Sequence, residues 1–421
     1  MGIVLAGLGM EIEFVGRSLE SGLQHPSISS VDSNKANCRT GLQEIGLKKY
    51  PSVSVVVVGY NSCEWVSLCL ASLTSQDYPT PYEILFVDNA SSDDSADFVR
   101  LRFPTVRVIE SGGNIGYSGG NNLGAHYATG KVLAFANPDT CADPSWLREL
   151  ITPLVLDKSI GMTTSKIVLM EQRDVINACG NDVSLSGITT CRRVGERAVD
   201  VIADEDVCAV SGAACAIRGE LFSQLGGFDE QFWMYLEDTD LSWRVRLAGY
   251  RCVLAANSVI AHDYRFQLSG IKTRVIERNR YLMLSKNLSV RSLIVLSPGF
   301  LGGEVVTWGW AITHGLQHVA AKIWAAIWMV FHIHIVWQGH RATQSGRRVS
   351  DATLLHAYRR SPAIAEVSSG MIGRGAQVLL TPIFIWTAVF SLALISLPVG
   401  QSSFEPSPVI AEAAAEGGSG D

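Results

Sequence analysis

Val53-Ser-Val-Val-Val-Val-Gly-Tyr-Asn61 is a β-branched run that stops at a glycine and a polar residue, the pattern of a strand buried on both faces that ends in a loop. Working outward, a helix is expected from Glu64 to Ser75, a second strand at Glu83-Ile-Leu-Phe-Val-Asp88, and a helix after Asn89-Ala-Ser-Ser-Asp93 that ends near Pro104. A third strand is expected at Val106 to Glu110 and a fourth at Lys131 to Ala136, closed by Asn137-Pro-Asp139. Strands alternating with helices predict a largely parallel, doubly wound sheet. Ligands of such sheets bind outside the carboxyl ends of the strands, where Asn61, Asp88, Asn137 and Asp139 all fall.

Between the third and fourth strands, Gly112-Gly-Asn-Ile-Gly-Tyr-Ser-Gly-Gly-Asn-Asn-Leu-Gly124 reads as a glycine-rich loop able to approach a phosphate. It is not G-x-G-x-x-G after the first strand, and it lacks the lysine of a P-loop. A dinucleotide-binding dehydrogenase and a P-loop NTPase are therefore set aside.

The second chemical centre is Tyr235-Leu-Glu-Asp-Thr-Asp-Leu-Ser-Trp-Arg244. Glu237, Asp238 and Asp240 precede apolar residues at Leu241, Val245 and Ala248, so they stand at a helix N-terminus. One acid there is a cap, as the helix dipole favours. Three acids behind Phe232-Trp-Met-Tyr235 suggest a cleft for a polar ring instead. Ile176 to Val194 is expected to form a hairpin over this site, and Val207 to Ile217 a buried strand beneath it.

Six pieces occur in order: Val53 to Asn61, Val87 to Asp93, Gly113 to Gly124, Asn137 to Asp139, Gly226-Gly-Phe-Asp229, and Glu237-Asp-Thr-Asp240. With these the chain resembles the inverting family 2 glycosyltransferases, above all their rhamnosyltransferase-like branch, over roughly Pro51 to Asn287. The resemblance implies the α/β GT-A nucleotide-diphospho-sugar transferase fold. It places Asn61 and Asp88 near the donor's base and ribose, and Asn114, Gly116, Asn121, Asn122 and Asn137 along the donor site. Asp139 matches the last acid of the family's Asp-x-Asp metal motif, and His262 the histidine that in some members helps hold Mg²⁺ or Mn²⁺. Asp238 matches the catalytic base, with Glu237 and Asp240 orienting base or acceptor, and Trp233 and Tyr235 are candidates to stack on acceptor sugars. Asn137 replaces the first acid of the metal motif, which leaves one motif carboxylate.

The net charge of −6 argues against nucleic acid as a partner. Nine cysteines without a C-x-x-C pair signal neither a zinc ribbon nor a disulfide framework, and favour a reducing compartment. The mean hydropathy of +0.20 raises membrane contact. Ala376 to Leu397 carries no charge and is long enough to span, Ser292 to Ile312 is interrupted by Glu304, and Val319 to Trp337 fits a span or an interfacial helix. Among the histidines from His314 to His340, His314 and His318 stand four apart, but no Glu follows His314 as a zinc protease would need. A basic loop from Arg341 to Arg360 and the basic run before Ser292 should face the cytoplasm.

The expected organisation is an extension over 1–50, a catalytic domain over 51–288, membrane-associated helices over 289–400 and a flexible tail over 401–421. The expected function is transfer of one sugar, with dTDP-rhamnose suggested as donor, from a nucleoside diphosphate sugar to a lipid-linked or polysaccharide acceptor at the cytoplasmic membrane face. A processive polysaccharide synthase is disfavoured because no Q-x-x-R-W motif lies around Arg278 to Lys286. A nucleotidyltransferase on a similar sheet, or a catalytically silent membrane scaffold, are the other readings.

Overall fold

The computed structural model describes residues 50–264, 268–355 and 371–396; the expected N-terminal extension and C-terminal tail lie outside them. The first unit runs β1 (Val53–Gly59), α1 (Cys63–Leu73), β2 (Tyr82–Asp88), α2 (Ser95–Arg102), β3 (Arg107–Glu110), α3 (Gly116–Tyr127) and β4 (Val132–Ala136). After it come β5 (Thr140–Ala142), α4 (Trp146–Leu156), β6 (Ile160–Leu169), β7 (Ile176–Ala178), β8 (Asn181–Val183), β9 (Thr189–Cys191), β10 (Glu205–Asp206), β11 (Ala214–Arg218) and α5 (Gly219–Gln224). The acidic helix α6 (Glu237–Leu247) and the long strand β12 (Arg251–His262) complete the sheet unit.

The fold is GT-A-like: one mixed, mostly parallel sheet of ten strands whose main path is β10-β12-β6-β11-β4-β1-β2-β3. Every residue of β1 is buried, because α1 and α3 cover the two faces of a central parallel strand, which is why its sequence is a continuous valine run. Strand β11 enters antiparallel between β4 and β6. Strand β5 pairs with the end of β12 so that Thr140 lies opposite His262. That pairing carries residues far apart in sequence to one edge.

The stretch from Gly112 to Gly124 is not an open loop. From Gly116 on it is helical, and its glycines serve packing: a Cβ on Gly120 would come within 2.6 Å of Val58, and one on Gly124 within 2.4 Å of Val56. The expected strand from Val207 is also shorter. Only Ala214–Arg218 is extended in the sheet, since the backbone N–H groups of Ala209, Val210 and Gly212 are drawn off to Asn181, Ser242 and Asp238.

The remaining described helices are α7 (Gly270–Asn287), α8 (Val290–Val295), α9 (Ser297–His314), α10 (Leu316–Phe331), α11 (Ile333–Ser345), α12 (Asp351–Leu355) and α13 (Met371–Ser396). The chain from Arg341 is no continuous basic loop. It stays helical to Ser345 and then docks on the sheet unit, with Arg348 N donating to Leu247 O at 2.7 Å. Helix α7 packs against α6 on one side and against α10 and α11 on the other.

Helices α7, α9 and α10 share one buried charge cluster. Glu277 accepts from Arg280 at 2.7 Å and from Lys322 at 2.6 Å, and Lys322 reaches Glu304 at 3.1 Å. Leu301, Val305 and Ile312 of α9, Ile323, Ile327 and Val330 of α10, and Trp386 and Phe390 of α13 are exposed. Among the described residues no single helix is long and apolar enough to cross a membrane. Helices α10 and α11 pass that test only as a pair, bent by 73° at their junction, so the expected Val319 to Trp337 segment is broken at His332.

Candidate active site

At the carboxyl ends of β1 and β2, Asn61 has a positive φ of 49° and its Oδ1 accepts from Ser92 N at 2.7 Å, joining the two strand-end turns. Asp88 is buried. Its Oδ2 accepts from Ser91 N at 3.2 Å, while its buried Oδ1 has no partner among the described residues. Asn89, which the sequence reading did not select, ties the neighbouring turn in place: its Nδ2 donates to Asn114 Oδ1 and to Gly116 O, and its Oδ1 accepts from Ile115 N. Gly116 has a φ of +75°, and a Cβ there would meet Trp233 O at 2.4 Å.

Two expected donor contacts lie elsewhere. Asn121 is buried inside α3, with its Nδ2 bonded to Tyr117 O at 2.9 Å. Asn122 points to the Gly226–Glu230 turn, donating to Phe228 O at 2.8 Å and accepting from Phe228 N at 2.9 Å. Once α3 is a helix, consecutive residues face different ways.

Asn137, Asp139, His262, Tyr235, Glu237 and Asp238 line one cleft of about 390 Å³, together with Tyr117, Asn177, Asn181 and Tyr264. Asp238 Oδ2 accepts from Gly212 N at 2.7 Å and Asn181 Nδ2 at 3.2 Å; its Oδ1 accepts from Thr239 N at 2.6 Å and the Thr239 hydroxyl at 3.1 Å. Burial raises the Asp238 carboxyl above its ordinary value against these four donors. Glu237 is raised further, by burial first and then by the adjacent Asp238 charge, and its Oε2 has no partner among the described residues.

Asp240 does not face the cleft. Its carboxylate is fully buried behind α6, where it meets Lys286 at 3.1 Å, Arg244 at 2.8 Å and Asn287 at 2.8 Å. Burial alone would raise this carboxyl, but Lys286 and Arg244 outweigh it and the net direction is down. The helical step of 100° per residue separates Asp238 from Asp240 and gives the latter a structural place.

Ahead of α6, Trp233, Tyr235 and Leu236 all have positive φ, at 61°, 68° and 66°. Such backbone persists only where surroundings impose it. Asn279 of α7 does so, its Nδ2 donating to Phe232 O, Met234 O and Tyr235 O at 3.0, 2.8 and 2.7 Å. Tyr235 lines the cleft, and Trp233 is half-exposed beside Gly116.

On the opposite wall, Asp139 Oδ1 and His262 Nε2 are 3.3 Å apart. His262 Nδ1 is 3.0 Å from Asn177 Oδ1, an oxygen that can only accept, so this bond places a proton on Nδ1, and the neutral form of the ring then turns a Nε2 lone pair toward Asp139. Among the described residues Asp139 Oδ1 has no hydrogen-bond donor apart from this ring. Two lone pairs facing each other at this distance suit a shared cation, and an oxygen and an imidazole fit Mg²⁺ or Mn²⁺ completed by substrate oxygens. Among the described residues no third His, Cys, Asp or Glu joins them.

Residues 54–168 match the family described as Glycosyl transferase family 2, and residues 137–345 match Glycosyl transferase family group 2. The chain belongs to glycosyl transferase family 2. Among the curated relatives of this glycosyltransferase is the N-acetylglucosaminyl-diphospho-decaprenol L-rhamnosyltransferase of Mycobacterium tuberculosis, 27% identical over 234 residues, or 49% of this chain and 75% of the relative. Another is the low-salt glycan biosynthesis hexosyltransferase Agl10 of Haloferax volcanii, 24% identical over 299 residues, or 65% and 90%. Among solved structures, S. aureus TarS 1-349 in complex with UDP-GlcNAc is similar with a TM-score of 0.48 and 16% identity, over 81% of this chain and 88% of that one.

Proposed function

We propose that this glycosyltransferase moves one sugar from a nucleoside diphosphate sugar to an alcohol of a lipid-linked or polysaccharide acceptor, with inversion and with Asp238 as general base. The observation that carries the reading is the cleft itself, in which a carboxylate of raised proton affinity shares one cavity with the Asp139–His262 pair. The acceptor alcohol gives its proton to Asp238 as its oxygen attacks the anomeric carbon. Four donors already occupy that carboxylate, and the Thr239 hydroxyl is the one that can turn its O–H away and free a lone pair for the incoming alcohol. Asp88 receives a hydroxyl of the donor's nucleoside, and Tyr235 and Trp233 border the acceptor side. A divalent cation held by Asp139 and His262 would neutralise charge on the departing diphosphate.

A rhamnosyl donor and a diphospholipid acceptor are supported by the mycobacterial relative's name alone. We also propose membrane association with the catalytic cleft on the cytoplasmic side. The supporting feature is the reversed polarity of α9, α10 and α13: Glu304 and Lys322 are turned inward while Ile327, Val330 and Phe390 are turned out. The 73° bend between α10 and α11 suits a pair that enters one leaflet and returns.

The test is nucleotide release from a panel of UDP-, GDP- and dTDP-sugars, with Mn²⁺, Mg²⁺ or EDTA and with membrane lipid extract as acceptor. Cation-dependent release from one donor, reduced about 100-fold or more in Asp238→Asn, is the expected result. Release that is undiminished in Asp238→Asn removes the base assignment.

A further inference from the structure

The cleft's two working ends are held by one short turn. Asn177 is the middle residue of β7 and Asn181 opens β8, and Gly180 between them has a φ of +79°, with Ala209 O only 2.8 Å from where its Cβ would stand. Asn177 Oδ1 accepts the hydrogen bond from His262 Nδ1 at 3.0 Å. Asn181 Nδ2 reaches Asp238 Oδ2 at 3.2 Å and Val210 O at 2.9 Å. Both asparagines are buried, at 3% and 7% exposure, so their carboxamides have little contact with bulk water. The turn is itself fixed, through Asn181 N to Ala209 O at 2.8 Å and Cys179 N to Arg192 O at 3.0 Å.

We propose that Asn177 and Asn181 are paired positioning residues: from two ends of one turn, Asn177 fixes the ring and tautomer of His262 and Asn181 fixes the carboxylate of Asp238. The turn thereby sets the spacing between the diphosphate end and the acceptor end of the cleft. This rests on the proposed roles of Asp238, Asp139 and His262. The physical reasons differ at the two ends. An imidazole whose Nδ1–H is bound to an oxygen presents Nε2 to a cation and is a stronger ligand for it. A carboxylate that loses a donor to its charged form holds its proton more tightly.

The two substitutions therefore separate. Asn177→Leu should raise the Mn²⁺ concentration at half-binding about 10-fold or more, measured by electron paramagnetic resonance of free Mn²⁺ with inorganic diphosphate present, and Asn177→Asp, which keeps an acceptor, should restore it. Asn181→Leu should leave Mn²⁺ binding unchanged and shift the acid limb of the kcat/KM pH profile upward by about one unit. Asn181→Ser and Asn177→Ala serve as the milder pair if either leucine variant does not melt cooperatively; the serine variant should show the same upward shift and the alanine variant the same loss of Mn²⁺ binding. A purely structural role would lower the melting temperature and kcat with neither the Mn²⁺ titration nor the pH limb displaced, and that result overturns the proposal. If Asp238→Asn is as active as the parent, the reading beneath it fails first; if Asp238→Asn is inactive while the asparagine variants keep parental Mn²⁺ binding and pH profile, only the positioning role fails.

Discussion

Asp238 and Asp240 stand two residues apart on α6 and meet opposite environments: the first bonds to Gly212 and Asn181 on the cleft wall, the second to Lys286, Arg244 and Asn287 behind the helix. One carboxylate lines the cleft and the other holds α6 against α7. The same residue type at neighbouring positions thus does two kinds of work.

Asp240→Asn should cost about 3–5 kcal/mol, because it leaves buried Arg244 without a carboxylate and buried Lys286 with Asp229 alone. The folded carboxyl lies below its ordinary 3.8, so its contribution is present above pH 3.8 and is lost as pH falls further. Guanidinium melts at pH 7 should show the full difference from the parent, and melts near pH 3 a smaller one.

Glu237→Gln should act in the other direction. The folded Glu237 carboxyl lies well above 4.5, so the folded state keeps a proton that the unfolded state releases, and stability falls as pH rises above 4.5 toward the folded value. Glutamine removes that dependence. Thermal melts should find the variant more stable than the parent at pH 8 and close to it at pH 4.

EDTA should stop turnover and added Mn²⁺ or Mg²⁺ restore it. Asp139→Ala and His262→Ala should each raise the Mn²⁺ needed for half-maximal rate by about 10-fold or more, as each removes one of the two protein ligands. A parental Mn²⁺ titration in both variants would exclude this pair as the cation site.

Asn279→Leu should destabilise by about 3 kcal/mol or more, since it leaves the carbonyls of Phe232, Met234 and Tyr235 without their shared donor. The positive-φ segment is then held through Arg278 on Phe232 O and Ser118 N on Trp233 O, without the Asn279 clamp, and kcat should fall with the melting temperature. Trp233→Ala, half-exposed, should raise the acceptor KM with little change in the melting temperature.

Gly124→Ala tests the glycine run. A methyl within 2.4 Å of Val56 should cost about 1–3 kcal/mol in equilibrium melts while leaving donor binding in the folded fraction intact, as expected of a packing glycine.

The strand order of the first half, the polar residues at its strand ends and the acidic start of α6 were legible in the sequence, because period, length and punctuation are local properties of a chain. Asp88, Asp139, Asp238 and His262 could be named from their positions in ordered motifs. What a side chain faces is not local. Asn121 and Asn122 share a motif with Asn114 but belong to a helix, so one is buried and the other holds the Phe228 turn. Asp240 was grouped with Asp238 by sequence, and only the docking of α7, which brings Lys286 and Asn287 from 46 and 47 residues away, separates their roles. Asn177, Asn181 and Asn279 carry no signal of their own among many asparagines. Their roles arise from pairings across the fold, where β5 meets β12, β8 meets the Ala209 bridge and α7 meets the Trp233 turn. The sequence by itself determined which segments are strands and helices and which chemistry is present; the tertiary structure decided which carboxylates face the cleft, because that depends on contacts between segments that no local pattern encodes.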